Sequence, residues 1–189
     1  MSILHLHKLF ISSQHGWDEL AHTHPSALRT FFQLVLPFSL VPPLMLEYAG
    51  RHIGTSLFPD TTAQAWSIAA LFFLFAELAT VPLMAWAIQS VAVSKGIATE
   101  YRAAFRLAAI AAIPLWLSSL ALFLEQPIVI AAILFWGLAG SVVLIVRGVG
   151  AILAVSEEVI AYEIAYIVTA LGLIAWVVLV MLGLIPALS

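Results

Sequence analysis

Cysteine is absent from this 189-residue chain. That excludes disulfides, thiolate metal sites and a cysteine nucleophile, and leaves the redox compartment open. Charge is scarce as well. Asp, Glu, Lys and Arg make up 9% of the residues, against about 25% in an ordinary soluble domain. A water-soluble fold of this size could not cover its surface with so few charges. There is no basic excess, the formal net charge being −3, so nucleic acid is not an expected partner. The sequence also lacks a His-Glu-x-x-His zinc motif, a Gly-rich phosphate loop and a nucleophile motif. With no catalytic constellation in view, the chain is not expected to be an enzyme.

What is present is apolar: 63% of the residues are hydrophobic, and the mean hydropathy is +1.11. In lipid each backbone polar group must be satisfied internally, so a spanning element is a helix or a closed barrel. Barrel strands alternate every second residue, whereas this chain has continuous apolar runs of helical length. The fold class expected is therefore an all-α membrane protein. A five-helix transmembrane bundle over residues 26–189 has spans near 27–49, 64–93, 102–124, 127–149 and 157–186. Residues 1–25 form a cytoplasmic or interfacial segment. There Ile3, Leu4, Leu6, Leu9 and Phe10 are spaced along one side of a short amphipathic helix. No cleavable signal peptide is read in it.

Punctuation supports these limits. Thr23-His24-Pro25-Ser26 reads as a helix start. Pro37, Pro42 and Pro43 fall inside the first span, so that helix should be kinked or broken toward its far end. Glu125-Gln126-Pro127 is a tight polar turn, and Ser156-Glu157-Glu158 reads as an N-cap with acids in the first turn. Orientation follows from the basic residues. With the N-terminus in the cytoplasm, Lys8, Arg29, Lys95, Arg102, Arg106 and Arg147 lie inside and only Arg51 outside. An odd number of spans then puts the C-terminus on the opposite side.

Small residues recur every four positions: Ala104, Ala108 and Ala112; Gly137 and Ser141; Ala161, Ala165 and Thr169. These read as contact faces inside the bundle, or as a dimer interface. Trp17, Trp66, Trp116, Trp136, Trp176 and Tyr101 read mostly as interfacial or lipid-facing anchors.

Three groups of residues bear chemistry. Glu77 falls near the membrane midplane, with no Lys or Arg at its depth in any other span. A charged carboxylate there is costly, so Glu77 is expected to be neutral and hydrogen-bonded, with Ser39, Ser118 and Ser119 as candidate partners. It is either a proton or cation site on a pathway or a structural hydrogen bond between helices. Arg102, Arg106, Arg147, Glu157, Glu158 and Glu163 form a charged rim at the inner boundary, with Glu163 in reach of Arg147. Such a rim fixes helix ends and topology, or receives lipid phosphates or a cytoplasmic partner. His5, His7, His22 and His24 crowd the N-terminal segment. Imidazoles bind Zn, Cu or Ni, but a spacing of two puts helical side chains on different faces. No other cofactor is expected.

Several short stretches resemble the Yip domain family (Ypt-interacting proteins) in its compact bacterial form. They are Glu100-Tyr101-Arg102 through Ala111-Ala112-Ile113-Pro114-Leu115-Trp116-Leu117, then Val143-Leu144-Ile145-Val146-Arg147-Gly148-Val149, then Val155-Ser156-Glu157-Glu158 with Ala161. His24-Pro25 is similar to bacterial members, and the resemblance extends over 26–186. It implies five membrane helices, a cytosolic N-terminus and a C-terminus across the membrane, here a bacterial inner membrane. Eukaryotic relatives are linked to vesicle trafficking, membrane curvature and prenylated Rab GTPases. Their long cytosolic N-terminal domain has no counterpart here, so the resemblance does not carry a GTPase partner over.

The expectation from sequence is a non-enzymatic inner-membrane protein that organises membrane or partner proteins. Its partners would be membrane lipids and a second copy or another membrane protein. The alternatives are a small transporter or channel using Glu77, and a His-dependent metal-binding membrane protein.

Overall fold

The structure, a computed structural model, describes residues 25–184. Five helices are long and apolar enough to cross a membrane, and no strand occurs among the described residues. They are α1 (Ala27–Arg51), α3 (Ala63–Ser94), α4 (Tyr101–Leu124), α5 (Pro127–Ile152) and α6 (Glu158–Leu184). A short α2 (Ile53–Leu57) follows α1. The expected interfacial helix and the histidines His5, His7, His22 and His24 lie outside the described residues. Among the described residues there is no cluster of metal-ligating side chains.

The prolines shape α1 as their chemistry requires. Pro37 lacks the N–H that would bond one turn back. The turn before it widens into a π-helical stretch, Phe31–Val35. A second break falls at Leu40, after which Pro42 and Pro43 open the segment Val41–Arg51. There the missing donors cost nothing, because the first N–H groups of a helix have no partner anyway. Ser26 caps the start of α1, its hydroxyl accepting from the Arg29 N–H at 3.2 Å. Thr62 caps α3 in the same way, accepting from Ala65 N–H at 3.2 Å. α3 has 32 residues, about 48 Å of helix, well over the roughly 30 Å hydrocarbon core. Gly96, at φ +79°, lets the chain leave α3 for the loop before α4. The start expected at Ser156 is displaced, since α6 begins at Glu158.

Helix α4 is the hub. It packs on α3 and α5, and α1 packs against its flank. Leu107, Ile110, Ile113 and Trp116 are buried along it. In lipid such contacts hold by close packing and dispersion, because burial away from water is already achieved. α6 packs instead on α3 and α5. Its outer face (Ile174, Val178 and Met181 among others) is exposed, as expected of a lipid-facing surface.

Two of the presumed anchors are in fact core. Trp66 and Trp116 are buried, whereas Trp136 stands exposed on α5. Trp66 lies flat against α1 because Gly50 has no side chain; a Cβ there would sit 2.3 Å from the indole.

Gly137 brings α5 onto α4. A Cβ at that position would meet the Ser118 side chain at 2.6 Å and the Pro114 carbonyl at 2.9 Å. Gly150, on the same helix, has nothing within 4 Å. Gly137→Ala should therefore cost about 1–3 kcal/mol through overpacking, while Gly150→Ala should be neutral or slightly stabilising. Equal thermal midpoints for the two variants in detergent would show that the α4–α5 contact does not depend on Gly137.

Candidate functional site

Glu77 projects from α3 into the bundle and is 5% exposed. Its hydrogen-bond partner is Trp116 of α4. Indole nitrogen can only donate, so the carboxyl accepts. The expected serine partners are engaged elsewhere. Ser39 donates to the Leu36 carbonyl at 3.2 Å, Ser118 to Leu115 at 2.8 Å and Ser119 to Trp116 at 2.6 Å. Each hydroxyl thus closes on its own helix three residues back. This is the usual alternative for a serine in an apolar setting, because the nearest carbonyl is always in reach. Sequence reading missed Trp116, although it had a signal. Trp116 lies four residues beyond Ala112, on the face carrying Ala104 and Ala108.

Glu77 and Trp116 stand in the wall of a cavity of about 280 Å³ to which all five spans contribute. Pro42 and Leu46 come from α1; Phe73, Met84 and Ile88 from α3; Ala108 and Ala112 from α4; Leu138 and Ser141 from α5; Val168 and Gly172 from α6. The cavity occupies the gap between α4 and α6. Part of the small-residue pattern therefore has a different meaning from the one expected. Gly137 closes a tight contact, but Ala108, Ala112 and Thr169 border open space. Among the described residues Glu77 is the only ionisable carboxyl in the wall, and no Lys, Arg or His lines it. Two buried polar atoms here lack a hydrogen-bond partner: Glu77 Oε2 and Ser141 Oγ.

The charged rim gathers at one end of the bundle only in part. Arg102 and Arg106 line a second, smaller cavity of about 170 Å³ with Pro25, Thr99, Glu100 and Ile152. Arg102 pairs with Glu100. Arg106 is 4% exposed and is buried at this same end of the bundle. Arg147, Glu157 and Glu158 are exposed and line neither cavity. Glu163 does not pair with Arg147. It accepts from the Lys95 ammonium at the end of α3. The reason is packing: α6 lies along α3, while Arg147 faces away from the bundle on α5. Gln89 adds a tie at this end, donating to the Thr99 carbonyl at 3.0 Å.

The opposite end holds a cluster that sequence reading passed over. Glu47 accepts from Arg51 one turn on and from Ser67 of α3 at 3.0 Å. Tyr48 stacks on His52 and meets Phe123 edge-on. These contacts join α1, α3 and the end of α4.

A five-span helical bundle with apolar outer faces and a cavity with Glu77 in its wall defines a multi-pass membrane protein. The Yip1 domain family matches residues 8–188, nearly the whole chain, and the protein belongs to that family. No curated protein and no solved structure matches the chain.

The Glu77–Trp116 bond has a measurable consequence. Trp116→Phe strips the carboxyl of its donor while leaving it buried, a loss of about 1–3 kcal/mol. In a Glu77→Leu background the same change should cost much less, because no polar atom is then left unpaired. Additive effects of the two substitutions on unfolding in detergent would show that the pair is not coupled.

Proposed function

We propose that this Yip1-family protein is non-enzymatic and organises lipids or partner proteins at a bacterial inner membrane, as a homo-oligomer or with another membrane protein. In this reading the N-terminus is cytoplasmic and the C-terminus lies on the opposite side. The observation that carries it is the family match over residues 8–188 on a bundle with exposed apolar faces. The rim supports it too. Lys95, Arg102 and Arg147 sit at one end and Arg51 at the other, the asymmetry that sets topology.

Lacking cysteine, the chain is suited to single-cysteine labelling. With a membrane-impermeant maleimide on intact cells, Asp60→Cys should react and Ser94→Cys should react only after lysis. The reverse pattern would overturn the orientation. Deleting residues 2–22 should change partner recovery or the membrane phenotype; no change in either would sink the organising role.

Glu77 favours a second reading, a small transporter or channel. Against it, ion pathways are lined by rings of carbonyls or charges, whereas among the described residues this cavity carries a single carboxyl in apolar walls. Flux of protons or common ions through wild-type proteoliposomes, abolished by Glu77→Gln, would establish the transporter. Absence of flux would remove it. A His-dependent metal role rests on His5, His7, His22 and His24. Titration calorimetry on untagged protein, comparing wild type with His22→Ala/His24→Ala, decides that question.

A further inference from the structure

We propose that the cavity between α4 and α6 is a binding site for an uncharged single-chain lipid, whose acyl chain fills the slot and whose polar group bonds Glu77 and Ser141. This goes beyond the organising role above and stands or falls separately from it.

Three observations converge. The first is shape. On α3 the lining runs from Phe73 to Ile88, and on α6 from Val168 to Leu184, about 22–24 Å of helix in each case. A volume of about 280 Å³ spread over that length is a slot for one slender molecule. The second is chemistry. Glu77 Oε2 and Ser141 Oγ are buried in the wall without partners, and Glu77 and Ser141 are only 5% and 4% exposed. Buried polar atoms are rarely left unpaired, and an orphan costs about 1–3 kcal/mol. A ligand bearing hydroxyl and ester groups can both donate to and accept from these two atoms. Among the described residues the wall offers no cation to receive an anionic headgroup, so a phosphate or free carboxylate would be left uncompensated at membrane depth.

The third is Gly172. A Cβ there would meet nothing closer than Met84 Cε at 3.9 Å. Close helix packing therefore does not call for glycine at this position. Its absent side chain instead leaves the slot open. The surrounding bilayer supplies acyl chains at high concentration, so an apolar slot of chain length stands next to its own ligand class.

The test uses the full-length protein, delipidated in detergent and titrated with monooleoylglycerol under native mass spectrometry. One saturable site per protomer is expected. Gly172→Leu, which puts a branched side chain at a slot-lining position where a Cβ has room, should weaken binding at least about tenfold. Glu77→Leu, which removes the hydrogen bond, should weaken it about tenfold. Glu77→Gln, which can still donate and accept, should bind close to wild type. Octadecene, with the chain but no polar group, should bind much more weakly. Equal binding by wild type and Gly172→Leu would place the lipid on the outer surface and overturn the proposal. So would equal binding of octadecene, or displacement of monooleoylglycerol by tetraphenylphosphonium, which would make the site one for lipophilic cations.

Discussion

Lipid makes no hydrogen bonds, and the rest of this structure follows from that constraint. Every backbone group in the hydrocarbon core must find a partner within the chain. Five helices meet the requirement with ladders closed inside each segment. The prolines of α1 break the ladder only where a π-helical turn or a new helix start absorbs the missing donors. The same constraint governs the side chains. Ser39, Ser118 and Ser119 each donate to a carbonyl of their own helix. Glu77, which cannot be satisfied so locally, reaches across to Trp116.

Packing supplies the second level. Without a hydrophobic drive between helices, contact depends on how closely backbones and side chains approach. Gly137 and Gly50 allow two such approaches, one onto Ser118 and one onto Trp66. α4, lined with alanines, becomes the buried centre. The small residues that face α6 do the opposite, since no large side chain from α6 fills the space they leave. The bundle is therefore tight on the α4–α5 side and hollow on the α4–α6 side. Glu77, the one buried carboxyl among the described residues, stands at the edge of the hollow.

Much of this was legible in the sequence because lipid imposes long apolar runs. The five spans, the broken first helix and the inward-facing position of Glu77 follow from composition, prolines and position alone. The partners of Glu77 and Glu163 did not, for two different reasons. Tryptophan favours interfaces, yet the four-residue spacing of Trp116 from Ala112 marks it as inward. The arginine nearest to Glu163 along the chain is Arg147, but Arg147 is exposed on α5 and Lys95 is the cation that Glu163 meets. Depth and type can be read from one helix at a time. Azimuth relative to a neighbouring helix cannot, because it depends on which faces meet. The cavity is a feature of that second kind.

The family match fixes what the chain belongs to, and the geometry locates where its polar chemistry is concentrated. The central claim is that the gap between α4 and α6 persists in a membrane, with Glu77 and Trp116 bonded in its wall. An electron cryo-microscopy structure in lipid nanodiscs tests it directly. Elongated density in the gap beside Glu77, with the Trp116 indole on the carboxyl, is the expected result. A bundle in which α6 closes onto Ala108 and Ala112 of α4, with Glu77 turned to another partner, would contradict it.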